Sequence, residues 1–376
     1  MSNRKALVIT YHVKNCVRLG GIHFFIRYLT QAGYDIDWVT GTVSVSWLLK
    51  RGDRSNARNF IDLVRGISWE ENNTLIRHFA VPVWIPARIA RLLGMELGKY
   101  HYPRWEKLRK RLRDSYDLIL AEGVACQYAE QLRTDYPRAR IIYRPSDALK
   151  TFTSFPDPER LELDMIKASD LVCCVDENHM NYYKSLAAGE VRQQEKIKLL
   201  RNPLTTQADI EFAENFTPSQ NEPSVVYVGV SYVDHQLASY AASHNKDAAF
   251  YMIGPAGKSH DNVVYTGMLS EEEYEKYLFR ASVGITPVNL PIAYGYTRKI
   301  IKYMKYLLPI AATCSDNYLN APGFFCADTK EEFSQKISEF LKYSPEDREK
   351  LREGYLRVMK VFSQEEARRK FLEYIG

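Results

Sequence analysis

No window of this 376-residue chain approaches 18 uninterrupted apolar residues, so the sequence offers no membrane-spanning helix. The six cysteines (Cys16, Cys126, Cys173, Cys174, Cys314 and Cys326) form neither a C-x-x-C pair nor a Cys/His group of zinc spacing. That excludes the common zinc modules and a dithiol redox site. Cys173 and Cys174 sit in the apolar run 171–175 and read as buried thiols, which suits a reducing cytoplasm. Net charge is scarce as well: 51 Lys+Arg against 46 Asp+Glu leave +5, too little by itself for a nucleic-acid binder. No G-x-G-x-x-G follows a predicted strand, which removes the dinucleotide fingerprint. Residues 254–259 have the wrong spacing for a phosphate-binding loop of the ATPase kind. The run at 6–10, directly after the first five residues, is too short for a signal-peptide core.

What is present is an even supply of hydrophobic residues, 45% of the chain, which excludes disorder. The length suits two domains and buries roughly three quarters of the unfolded surface. Short β runs alternate with amphipathic stretches. Residues 6–10 read as a buried strand, 22–31 as a helix closed by Gly33, and 35–39 as a second strand. Further strands are predicted at 118–121, 140–143 and 171–175. The polar segment 204–223 reads as a linker. The alternation then restarts at 225–229, 248–254, 262–265, 283–286 and 310–313. Repeated βαβ units require parallel sheets with right-handed crossovers. The expectation is an α/β protein of two Rossmann-like, doubly wound domains facing across a cleft: 1–203, a linker at 204–223, 224–345, and C-terminal helices at 346–376 packing back across both.

The most informative stretch is 286–313. A strand ends at Pro287, a loop with Tyr294, Gly295 and Tyr296 follows, and a helix is predicted from Thr297, its N-cap. Arg298 and Lys299 then occupy the first turn, where cations oppose the helix dipole. An anion docked there would explain them, since helix N-termini bind phosphate; a solvated basic face would explain them too. The segment 143–149, Tyr-Arg-Pro-Ser-Asp-Ala-Leu, places Asp147 just past a strand, at the sheet edge where ligands bind in such folds. A carboxylate there can take a proton from an attacking hydroxyl, or Ser146 and Asp147 can simply form a turn.

These motifs resemble those of GT-B glycosyltransferases, and more narrowly the bacterial glucuronosyltransferase family that builds the xanthan side chain. The resemblance runs over most of the chain. It rests on Ile22-His23-Phe24, on 143–149, on Gly229 closing a strand, on Gly267-Met268, and on the Lys299 helix. It implies that Asp147 is the general base of an inverting transfer and that the donor is a UDP-linked sugar. Lys299 would neutralise the diphosphate, Met268 would pack on the base, and Gly229, Ser231, Tyr294 and Tyr296 would line the pocket with Thr297. Lys302 shares a helix face with Lys299. Lys302 and Arg298 depart from the residues expected in the family; three cations suit an anionic donor such as a glucuronate, and equally a plain diphosphate. No cofactor and no metal is expected: Asp35-x-Asp37 begins a strand and reads as ordinary polar alternation.

The acceptor is expected in the N-terminal domain, with His23 and Glu122 as candidates. His23 reads otherwise as a packed residue and Glu122 as a helix cap. The segment 81–113 interleaves apolar and basic residues, with Trp84, Arg88, Arg91, Leu92, Arg104 and Lys107 as the membrane-docking set. Between Arg88 and Arg113 nine Lys and Arg stand against two Glu. Such a segment reads as an interfacial helix attracted to anionic lipid, or as sheet-packed helices with a solvated basic face. With the resemblance, it points to a polyprenyl-diphosphate-linked glycan acceptor at the cytoplasmic face of the inner membrane, in exopolysaccharide or surface glycan synthesis, and to no nucleic-acid partner. A neutral-hexose transferase, another GT-B-fold enzyme such as a nucleotide-sugar epimerase, and a non-enzymatic lipid or nucleic-acid binder are the rival classes.

Overall fold

The computed structural model describes residues 3–14, 21–41, 54–80, 105–151, 157–219, 222–230, 232–289, 295–313 and 315–376. The chain divides into two compact units. One comprises Met1–Val175, His179–Arg201 and Arg368–Gly376; the other comprises Asp176–Asn178 and Asn202–Ala367.

The first unit holds a sheet of β1 (Arg4–Thr10), β2 (Tyr34–Thr40), β3 (Ile67–Glu71), β4 (Thr74–Phe79), β5 (Leu118–Ala121), β6 (Arg140–Tyr143), β7 (Leu171–Cys174) and β8 (Ile197–Leu199). Its order is β3-β4-β2-β1-β5-β6-β7-β8, parallel except for the β3–β4 hairpin. The aliphatic run of β1 is buried from Ala6 to Thr10 because strands flank it on both sides and layers cover both faces. The helix Gly21–Gln31 follows, and Gly33, at φ +79°, lets the chain reverse into β2. Phe25 of that helix packs on Phe371 of the C-terminal helix Gln364–Ile375, with ring centroids 4.9 Å apart.

The second unit is built on β9 (Ser224–Val228), β10 (Ala249–Ile253), β11 (Val263–Gly267), β12 (Val283–Thr286), β13 (Ile310–Ala312) and β14 (Phe324–Cys326). The order β11-β10-β9-β12-β13-β14 is all parallel, the doubly wound arrangement. Alternate residues of β9 enter opposite layers: Val226 joins the core around Ile300 and Tyr355, while Val225 and Tyr227 join that around Phe250 and Phe333.

Three differences from the sequence expectations have physical causes. The expected linker at 204–223 carries the helix Gln207–Asn215, begun by a capping box between Thr206 and Asp209 and anchored by buried Ile210 and Ala213. The β3–β4 hairpin was not expected; Asn72 and Asn73 turn it with φ of 51° and 58°, the two positive dihedrals of a two-residue turn. Asp37, expected in ordinary polar alternation, is fully buried and accepts from Arg77 at 2.7 Å, Arg113 at 3.2 Å and the Tyr116 hydroxyl. Two guanidinium groups compensate that buried charge.

Candidate functional site

In each unit the strand order reverses at one place, and loops diverge there to leave a crevice. In the first unit this switch point lies between β1 and β5; in the second it lies between β9 and β12.

At the first switch point the ends of β1, β5 and β6 meet around Glu122. This carboxylate is fully buried and accepts hydrogen bonds from the hydroxyls of Thr10 and Ser146, the latter at 2.6 Å. His12 Nε2 lies 4.0 Å from the same carboxylate. Burial lowers the His12 pKa, His23 and Arg144 push the same way, and Glu122 and Asp147 oppose them. His12 is therefore a neutral imidazole near pH 7. Asp147 is half-buried beside this group, one residue past Ser146. Gly123 packs closely here: a Cβ would meet Leu149 Cδ2 at 2.9 Å, so the Leu149 side chain seats directly over the end of β5.

His23 donates from Nε2 to the Val13 carbonyl at 3.0 Å and stands edge-on to His12 and Trp38. It is half-buried and packed, and its ring borders a small cavity of about 160 Å³ with Lys14, Trp38 and Trp69. Glu122 does not cap the turn Gly123–Tyr128 that follows it; its oxygens are taken by the two hydroxyls instead.

At the second switch point the helix Arg298–Lys305 begins beside the end of β9. Thr297 is its N-cap by backbone geometry, and its hydroxyl makes no capping bond. Lys299 Nζ donates to the Tyr227 hydroxyl at 3.2 Å and lies 4.7 Å from the centroid of that ring. Gly229 makes room for the arrangement, since a Cβ there would come within 2.5 Å of the Tyr227 hydroxyl and 3.1 Å of Lys299 Nζ. Gly254, at φ +102°, closes the end of β10 against the Gly229 carbonyl. Arg298 is exposed, and Met268, 62% exposed, stands just past Gly267 at the end of β11.

Two expected donor contacts are corrected. Lys302 is turned away, its ammonium held by Glu271 at 2.6 Å, Glu275 at 3.2 Å and Asp209 at 3.9 Å. Burial alone would lower its pKa, but the Glu271 hydrogen bond and the Asp209 charge raise it above the ordinary lysine value. Tyr296 does not close a pocket: it is a core residue, donating to Asn317 and packed on Tyr318, Phe324 and Phe362. Ser231, Tyr294, Trp84, Arg88, Arg91, Leu92 and Arg104 lie outside the described residues; Lys107 is exposed on the short helix Trp105–Arg109.

Sequence reasoning missed His12 and Tyr227. His12 had a signal, as a titratable residue just past the buried strand 6–10. Tyr227 had none, because a tyrosine inside a strand reads as core. Among the described residues no group of three His, Cys, Asp or Glu could hold a metal ion, and no helix is long and apolar enough to cross a membrane.

Residues 8–175 match the family described as glucuronosyltransferase GumK, N-terminal domain. No curated protein matches the chain. Among solved structures, trehalose-6-phosphate from E. coli bound with UDP-2-fluoro glucose is similar at 12% identity and TM-score 0.67, over 99% of this chain and 98% of that one. A UDP-forming trehalose-phosphate synthase from Burkholderia xenovorans is similar at 12% identity and TM-score 0.66, with 99% and 98% covered. Sucrose-phosphate synthase from Thermosynechococcus elongatus is similar at 14% identity and TM-score 0.65, again with 99% and 98% covered. At such identities the likeness establishes the fold. The chain thus has the two-domain fold of the GT-B glycosyltransferases, and its residues 8–175 carry the likeness to a glucuronosyltransferase family.

Proposed function

We propose that this protein is an inverting, metal-independent glycosyltransferase that moves a sugar, glucuronic acid, from a UDP-sugar to a lipid-linked oligosaccharide in bacterial exopolysaccharide or surface glycan synthesis. The observation that carries the reading is Lys299. Its ammonium stands at the end of β9 in the first turn of the helix Arg298–Lys305, and the missing side chain of Gly229 lets it approach the strand end there. Lysine charge and helix N-terminus together stabilise the negative charge that develops on the leaving UDP. Arg298, exposed one residue earlier, is the cation left over for a uronic carboxylate once Lys302 is engaged elsewhere.

Asp147, at the first switch point, takes the proton of the acceptor hydroxyl. A carboxylate placed beside the reacting hydroxyl suits that role. The GT-B fold alone does not choose between inversion and retention; a base opposite the leaving group chooses inversion. The family resemblance and the basic, apolar composition of 81–113 support a lipid-linked acceptor and work at the cytoplasmic face of the inner membrane.

Thermal stabilisation against UDP, UDP-glucuronic acid, UDP-glucose and GDP-mannose tests the donor. UDP-glucuronic acid is expected to raise the melting temperature more than UDP-glucose, and stabilisation by none of the four would overturn the reading. Asp147→Asn is expected to keep nucleotide binding and lose transfer; near-normal transfer by that variant removes Asp147 as the base. Flotation with vesicles containing anionic lipid, and not with zwitterionic ones, is the outcome expected of the membrane assignment.

A further inference from the structure

Asp147 lies in a segment, residues 144–148, with no regular secondary structure to hold it. A base must nevertheless be placed to a few tenths of an ångström, because a misplacement of about 1 Å can cost roughly a hundredfold in rate. Glu122 holds the segment on one side, through the Ser146 hydroxyl at 2.6 Å. A second fully buried carboxylate lies on the other. Glu162, in the helix Pro158–Ala168, accepts the backbone N–H of Leu149 at 2.9 Å, two residues past Asp147.

Three tyrosine hydroxyls fix Glu162 in turn. Tyr183 donates at 2.6 Å, Tyr182 at 3.0 Å and Tyr143 at 3.3 Å. Tyr143 ends β6, while Tyr182 and Tyr183 belong to the helix Glu177–Leu186. The carboxylate therefore ties a strand and two helices to the residue that starts the short turn Leu149–Thr151. A carboxylate is an expensive way to fill a core, since an apolar side chain of similar volume packs there without desolvation. Its use here is directional: it fixes the height of the Leu149 amide while Leu149 itself seats over Gly123.

We propose that Glu162 is a positioning residue for Asp147, fixing the segment from the Leu149 side as Glu122 fixes it from the Ser146 side. The proposal rests on the reading of Asp147 as the base. Glu162 touches no substrate; it acts through the backbone of 144–149.

The test compares Glu162→Leu, which removes the acceptor, with Glu162→Gln, which keeps an oxygen opposite the Leu149 amide. UDP release from UDP-glucuronic acid, with water as acceptor, gives kcat and KM; hydrogen–deuterium exchange reports on the peptides covering 144–151. Glu162→Leu is expected to lower kcat about a hundredfold with KM unchanged and to speed exchange at 144–151, while Glu162→Gln recovers most of both. A role in stability alone would lower the melting temperature and leave kcat per folded molecule intact, which overturns the proposal; so does unchanged exchange at 144–151. Should Glu162→Leu not fold, Tyr183→Phe removes the shortest of the three hydroxyl bonds and is expected to give the same effects in weaker form. Failure of the base itself is read separately. If Asp147→Asn still turns over normally, the base assignment falls; if Asp147→Asn is dead and Glu162→Leu is normal, only the positioning role falls.

Discussion

Lys299 and Lys302 lie one helical turn apart, yet their surroundings make them different cations. Lys299 meets a phenol and the bare backbone of Gly229 at the sheet edge; Lys302 meets three carboxylates from two neighbouring helices. Lys299→Met is expected to weaken UDP binding about ten- to a hundredfold, the loss of one charge-assisted contact, with little change in melting temperature. Lys302→Met reverses the pattern. It leaves Glu271 without its cation, while Lys305 still holds Asp209 at 3.1 Å and Glu275 at 3.0 Å. It costs about 1 kcal/mol of stability, and UDP affinity per folded molecule stays near normal. Isothermal titration and chemical unfolding of the two variants check the contrast.

At the scale of elements, the predicted β-strands at 118–121, 140–143 and 283–286 coincide with β5, β6 and β12. Buried parallel strands read clearly because both faces are covered and the apolar run is continuous. The half-exposed hairpin β3–β4 and the polar-looking helix Gln207–Asn215 did not, since one paired turn and one capping box distinguish them from loops. Element ends matter most for function. β9 stops at Val228 and hands the chain to Gly229, whose missing side chain admits Lys299. Tyr227 is fully buried and has no room to retreat, so in Gly229→Ala the ammonium must move. That variant is expected to lose about 1–3 kcal/mol of stability to overpacking and about tenfold in UDP affinity, readable by unfolding and by titration.

For the molecule as a whole, the two units carry separate cores, and acid reaches the first through a buried histidine. His78 is 1% exposed, accepts or donates one hydrogen bond to Thr40 at 2.8 Å, and stacks on Trp38 at 4.2 Å. Burial, reinforced by Lys14 and His23, lowers its pKa to about 3. Between the unfolded value of about 6.5 and about 3 the unfolded chain binds a proton that the folded one refuses. Stability is thus lost as pH falls below about 6.5, with a slope approaching about 1.4 kcal/mol per pH unit from this residue. Urea unfolding at pH 7 and pH 5 is expected to show that loss, and His78→Gln is expected to flatten it.

The sequence by itself determined the two α/β units, most of their buried strands, the Lys299 helix and the place of Asp147 just past a strand. These follow from local periodicity, glycine and charge in the first turn, which a chain displays in order. Which partner each cation meets and which carboxylates brace the Asp147 segment was decided only by tertiary structure. Glu162 meets Leu149 across 13 residues, Glu122 meets Ser146 across 24, and Lys302 meets Asp209 only because two helices pack side by side. A side chain's charge is legible from its letter; the partner that uses that charge is fixed by the fold that brings the two together.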